Sequence, residues 1–184
     1  RGERTLNNAI GMVELNSIAV GIETCDFMVK AAQVDLLRAS TVCPGKYIVI
    51  VGGEVSAVQS SMKTGRANAG PALVDCLLIP NVHPQVAPAI AMTSQVRTFG
   101  AVGVLEFFSI ASAVKAADVA AKAADVSLIE VRMGLAVGGK GFVTLTGQVS
   151  AVRTAVAAAA AKVELMVAST VIPRPSPALV QSLL

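Results

Sequence analysis

Charge is scarce in this sequence: Asp, Glu, Lys and Arg make up 15% of its 184 residues, against roughly a quarter in an average soluble protein. With 54% hydrophobic residues, intrinsic disorder is excluded, because disordered chains are poor in apolar residues and dense in charge. The same shortage leaves too little charged surface to solvate a lone monomer, which points to large protein-protein contacts. Aromatic residues are also few, one Tyr, five Phe and no Trp, and the net charge of +3 is scattered along the chain. No platform exists for stacking bases, so nucleic acid is excluded as a partner.

Long apolar runs are missing too. The stretch from Cys76 to Val96 contains no Asp, Glu, Lys or Arg, but it holds Pro80, Pro84, Pro88, Asn81 and His83, which no membrane-spanning helix would carry. Arg1 to Asn8 is a polar extension without the apolar core of a secretory signal. Three cysteines without paired spacing make no disulfide framework and suit a reducing cytoplasm. The single histidine, His83, lies between Val82 and Pro84 with no nucleophile motif around it and is expected in a surface turn.

What the sequence does contain is a repeat. Ala9-Ile-Gly-Met-Val-Glu-Leu-Asn-Ser-Ile-Ala aligns with Ala101-Val-Gly-Val-Leu-Glu-Phe-Phe-Ser-Ile-Ala. The register continues without a gap through Asp26/Asp118, Lys30/Lys122, Ala31/Ala123, Ala32/Ala124, Val34/Val126 and Leu36/Leu128. After a short insertion it resumes with Gly45-Lys46 on Gly139-Lys140, then Gly53-Glu-Val-Ser-Ala-Val58 on Gly147-Gln-Val-Ser-Ala-Val152, and each copy closes on Ile-Pro.

Each copy predicts the same unit. An apolar strand (9–15; 102–108) ends at a Ser suited to cap a helix, Ser17 or Ser109. That helix carries Ile18, Ile22, Cys25 and Val29 on one apolar face, with Val114, Ala117 and Ala121 placed similarly in the second copy. Strands at 34–40 and 47–51, a helix at 56–67 and a final strand follow; the second copy has strands at 126–133 and 142–146 and a helix at 150–162. The order β-α-β-β-α-β is the split βαβ arrangement of an α+β fold, an antiparallel sheet with helices on one face. Domains are expected at residues 9–91 and 101–184, joined by a linker at 92–100. Two pseudo-equivalent domains per chain allow a trimer to imitate a six-fold ring.

These motifs in this order, twice over, resemble the bacterial microcompartment (BMC) shell domain. The resemblance implies a ferredoxin-like α/β sandwich in tandem, a homotrimer forming a flat pseudohexamer, and tiling with other microcompartment shell proteins. Lys30 and Lys122 match the lysine that such proteins carry at the tile edge, and Pro173-Arg174-Pro175 resembles a segment near that edge, where the first copy has Pro80-Asn81-Val82 instead. The loops between the second and third strands then line the central pore: Thr41, Val42, Cys43, Pro44, Gly45 and Lys46 in the first copy, and 134–140, with Val137, Gly138, Gly139 and Lys140, in the second.

Only the first pore loop has a cysteine. Threefold symmetry would bring three Cys43 thiols to one axis, and thiolates select iron-sulfur clusters, zinc or copper(I) over hard cations. Cys43-Pro44-Gly45 is similar to the loop of the iron-sulfur shell proteins of propanediol-utilisation microcompartments. That similarity implies a 4Fe-4S cluster on three Cys43 side chains, for electron transfer or cluster delivery across the shell, with the fourth iron open and a redox enzyme as a further partner. A shell tile with a metabolite pore, moved by Gly138-Gly139 and with Cys43 as a redox-reactive or zinc-binding thiol, is the competing reading. A ligand-binding regulator on the same sheets is a third. Cys25 and Cys76 lie in apolar surroundings and are expected to fill core.

No catalytic residues are expected. Gly134 to Lys140 satisfies Gly-x-x-x-x-Gly-Lys, but Gly141 stands where a phosphate loop needs Ser or Thr, and a strand pattern follows where it needs a helix. Glu14 and Glu106, repeated at the same place, are expected to be structural carboxylates at a strand-helix junction rather than an acid-base pair.

Overall fold

The computed structural model describes residues 9–96, 98–134 and 137–183; the expected extension at 1–8 lies outside them. The chain forms two compact units that divide between Pro84 and Gln85.

The first unit runs β1 (Ala9–Leu15), α1 (Ile18–Ala31), β2 (Asp35–Val42), β3 (Lys46–Gly53), α2 (Val55–Ala69), a 3-10 turn (Gly70–Ala72) and β4 (Leu73–Pro80). Its antiparallel sheet has the order β2-β3-β1-β4, as the split βαβ pattern requires. The hydroxyl of Ser17 accepts from the Val20 amide and starts α1, occupying one of the N-H groups that a helix start leaves unpaired. Alternate residues of the strands, Ala9, Val13 and Leu15 with Val49 and Val51, meet Met28, Val58 and Met62 from the helices to form the core.

The second unit begins with a short helix, α3 (Val86–Ile90), followed by β5 (Ala101–Phe107), α4 (Ile110–Ala123), β6 (Val126–Met133), β7 (Gly141–Gly147), α5 (Val149–Lys162), β8 (Met166–Ile172) and α6 (Pro177–Ser182). The sheet order, β6-β7-β5-β8, repeats the first, and Ser109 caps α4 through the Ser112 amide. Helix α3 precedes the expected linker, yet it falls in this unit. The cause is Gln85, whose side-chain amide donates to the Val126 carbonyl at 3.0 Å and whose side-chain oxygen accepts from the Leu128 amide at 2.7 Å, satisfying the outer edge of β6. None of the helices among the described residues is long and apolar enough to cross a membrane.

Most of the apolar stripe of α1 faces away from the core of its own unit, although Cys25 packs against it. Gly21, Thr24 and Met28 turn inward, while Ile18, Ile22 and Val29 are exposed at 40%, 55% and 36%. Close approach decides this orientation. A Cβ on Gly21 would lie 2.5 Å from Tyr47 Cβ, so α1 can sit on β3 only with glycine at the contact. In the second unit the small residue has changed sides: Ala113 holds the helix position and Gly141 the strand position, and a Cβ on Gly141 would lie 2.7 Å from that of Ala113. The missing hydroxyl of the false phosphate loop thus has a packing cause, since Gly141 opens β7 against α4.

Gly21→Ala is expected to destabilise the chain by about 1–3 kcal/mol through overpacking, because the atom it meets is fixed to the backbone and cannot swing away. Urea denaturation should show the midpoint falling with little change in m-value.

Candidate functional site

The first candidate pore loop is a tight hairpin. Strand β2 runs through Thr41 and Val42, and β3 begins at Lys46, with Val42 opposite Lys46. Only Cys43-Pro44-Gly45 forms the turn, shorter than the six residues of the motif because pairing continues to its ends. The Gly45 amide donates to the Val42 carbonyl at 3.1 Å. Gly45 has φ of 84°, a left-handed backbone that glycine adopts without a steric penalty. Pro44 and Gly45 are exposed and Cys43 is half-buried, so the thiol stands at the tip of a hairpin and outside the core.

Lys46 fixes the base of this turn. Its ammonium donates to Glu14 Oε1 at 2.7 Å, and the Glu14 side chain is only 2% exposed. Glu14 Oε2 is buried without a partner. The repeat places a matching pair in the second unit, Lys140 to Glu106 at 2.9 Å, but there the side chains are 37% and 36% exposed and the ammonium also lies 5.9 Å from the Phe108 ring centroid. The two glutamates therefore tie the candidate pore loops to the central strand of each sheet, a link beyond the junction role that the sequence suggested. The available signal was a charged residue in an otherwise apolar strand, duplicated together with a lysine at the start of the strand beside it.

The second loop has a different backbone. Gly134, Gly138 and Gly139 have φ of 64°, 62° and 81°, and the Gly134 amide donates to the Lys140 carbonyl at 2.9 Å while the Lys140 amide donates to that of Val137 at 3.2 Å. Leu135 and Ala136 lie outside the described residues. Strand β7 follows directly, where the phosphate-loop motif needs its own helix to begin.

The other cysteines are placed as fillers. Both Cys25 and Cys76 pack against the core of the first unit. Burial, then the negative charge of Asp26, pushes the Cys25 thiol above its usual pKa, which disfavours the thiolate that binds metal. Among the described residues of one chain, no three His, Cys, Asp or Glu side chains gather as a metal site.

The candidate edge residues are at the surface. Lys30, in the last turn of α1, bridges to Asp26 and is 72% exposed; Lys122, in the last turn of α4, bridges to Asp118 at 2.7 Å and is 42% exposed. Arg174 lies exposed in the bend after β8. In the first unit the same bend is made by Asn81, with φ of 53°. His83 follows in a turn-rich segment, partly buried.

Comparison with known proteins gives one answer. The BMC domain matches residues 9–82 and 101–175. The bacterial microcompartment shell protein PduT of Citrobacter freundii is 45% identical over 173 residues, covering 92% of this chain and 94% of that protein. The carboxysome shell protein CsoS1 of Parasynechococcus marenigrum is 35% identical over 89 residues, 47% of this chain and 86% of its own length. Among solved structures, a microcompartment protein of Desulfitobacterium hafniense superposes with a TM-score of 0.89 at 50% identity, covering 94% of this chain and 98% of that one. A fused permuted hexameric shell protein from the RMM microcompartment shares the fold at a TM-score of 0.57 and 23% identity, over 83% and 79% of the two chains. This chain belongs to the BMC-domain family and carries the domain twice.

Proposed function

We propose that the protein is a structural tile of a bacterial microcompartment shell in the cytoplasm, a homotrimer whose six domains imitate a hexamer and meet other shell proteins at their edges. Its PduT and CsoS1 relatives are shell proteins by name. The observation that carries the trimer is an asymmetry between the repeats. On α4, Ile110, Val114 and Ala117 are 0% exposed, whereas their counterparts on α1 include Ile18 and Ile22 at 40% and 55%. The counterpart face on α4 is packed within its own unit, where α3 meets α4, so the bare face of α1 is left for a contact between chains, and head-to-tail contacts of that kind close into rings. Three chains complete a ring of six domains. Native mass spectrometry under anaerobic conditions tests this, with three chains expected in the particle and single chains at high concentration overturning it.

At the axis of such a ring the three Cys43 hairpins converge. A single chain offers one soft donor at an exposed tip, which suits a group shared among three chains and none held by one. The proposed occupant is a 4Fe-4S cluster held by one Cys43 thiolate from each chain, which supplies one-electron transfer when bound. Pro44 and Gly45 shape the turn that presents the thiol, and Lys46 holds its base to the sheet. The competing tile, with a metabolite pore and a zinc-binding or redox-reactive Cys43, is separated from this one by metal content.

A further inference from the structure

The buried end of the Glu14-Lys46 pair sets it apart from its copy in the second unit. A carboxylate inside a sheet is costly unless its oxygens are hydrogen-bonded. Glu14 is almost wholly buried, one oxygen has no partner, and the Lys46 ammonium is the contact of the other. An isolated surface pair would hold its partner weakly. Here the lysine supplies the charge that the buried carboxylate requires, so the lysine and the strand start that carries it are held in one place.

That strand start is the closing residue of the Cys43 turn. Lys46 pairs with Val42 across the hairpin, and just Cys43, Pro44 and Gly45 lie between them. A shift of Lys46 therefore reaches the thiol through three residues whose ends are pinned. The exposed Lys140-Glu106 pair belongs to a longer loop with three left-handed glycines and has no such lever.

We infer that Glu14 is the positioning residue of the Cys43 site, acting through Lys46 to fix the direction in which each chain presents its thiol. The metal arm of this inference rests on the cluster reading above; the thiol arm does not. Three thiolates from three chains can share one group only if each turn has the same orientation, and partners one step behind a metal ligand typically change affinity by about 10–100-fold when replaced.

The test uses the full-length trimer with Glu14→Gln, Lys46→Met and Lys46→Arg. Alkylation of Cys43 by iodoacetamide, followed at the peptide level by mass spectrometry, reads the thiol without any metal. Iron retention against a chelator reads the loaded site. Glu14→Gln and Lys46→Met should change the Cys43 alkylation rate severalfold and release iron at least about tenfold faster, while Lys46→Arg, whose guanidinium can engage both carboxylate oxygens, should stay near wild type. Should Lys46→Met not fold, because it leaves the buried Glu14 carboxylate without its charge partner, Glu14→Gln decides in its place by the same readouts. Unchanged alkylation and iron release in Lys46→Met would overturn the inference, as would a Lys46→Arg protein as impaired as Lys46→Met. A wild-type protein without iron would remove the cluster reading and leave the alkylation comparison to decide the positioning role.

Discussion

Cys43→Ser protein purified without oxygen is expected to contain no iron and no acid-labile sulfide above background, while remaining folded and trimeric. The effect is all-or-none because of the symmetry. In the proposed site each chain contributes the same residue, so one substitution removes every protein thiolate of the shared site. Serine keeps the shape of the side chain but replaces a soft sulfur by a hard oxygen that is protonated at neutral pH, and clusters are held by thiolates. The cost to folding should be small, since Cys43 is half-buried on a hairpin tip and belongs to no core cluster. Cys25→Ser and Cys76→Ser should do the reverse: both thiols pack against the core, so iron should persist while stability falls. Iron retained by Cys43→Ser, or lost equally in all three variants, would contradict this assignment. Wild-type protein carrying zinc in place of iron would favour the tile with a zinc-binding thiol.

Ile22→Glu is expected to convert the proposed trimer into single folded chains. Ile22 is 55% exposed in the chain, so a glutamate there meets water and leaves the fold of the unit intact. In the proposed head-to-tail ring this exposed position lies in the contact between chains. Losing a buried anchor of this kind costs about 2 kcal/mol or more, and an unpaired carboxylate adds a desolvation penalty of several kcal/mol. A symmetric ring pays this at every contact. Sedimentation velocity should show the main boundary moving from three chains to one, with circular dichroism unchanged, and Ile22→Val should behave as wild type. A trimeric Ile22→Glu protein would show that α1 is not the contact and would remove the asymmetry on which the ring rests.

Much of the fold was legible because the sequence states it twice. Strand β1 and strand β6 have the ends that the pattern implies, both capping serines act as caps, and the repeated Ile-Pro closes β4 and stands at the end of β8. Short elements escaped: α3 and α6 are too brief to show a helical period, and the Gln85 bonds that tie α3 to β6 leave no periodic trace. The deeper miss concerns α1. A stripe of Ile18, Ile22, Cys25 and Val29 has the period of a buried face, and periodicity cannot distinguish a face that meets its own sheet from one that meets another chain. The inward face is instead marked by Gly21 and Thr24, small residues that allow close approach; Thr24 donates to Asn68 of α2, and Ser61 of α2 donates to the Met28 carbonyl. Of the candidate site, the cysteine and its turn were visible, since Pro-Gly after a strand predicts a hairpin. The Glu14-Lys46 link was marked only by its duplication as Glu106 and Lys140, because nothing local in sequence joins a carboxylate near the end of β1 to a lysine two strands later in the chain.

Scarcity of charge finds its place in this assembly. The apolar excess is divided between two sheet cores and the bare face of α1, where exposed Ile and Val side chains stand in for the charged surface that a monomer would carry. The most direct measurement is the mass and composition of the native particle isolated without oxygen from wild-type cells. The threefold tile predicts three chains together with four iron and four sulfide, and three chains with neither iron nor sulfide in Cys43→Ser. A particle of one chain, or a trimer without iron even after anaerobic reconstitution with iron and sulfide, would contradict it.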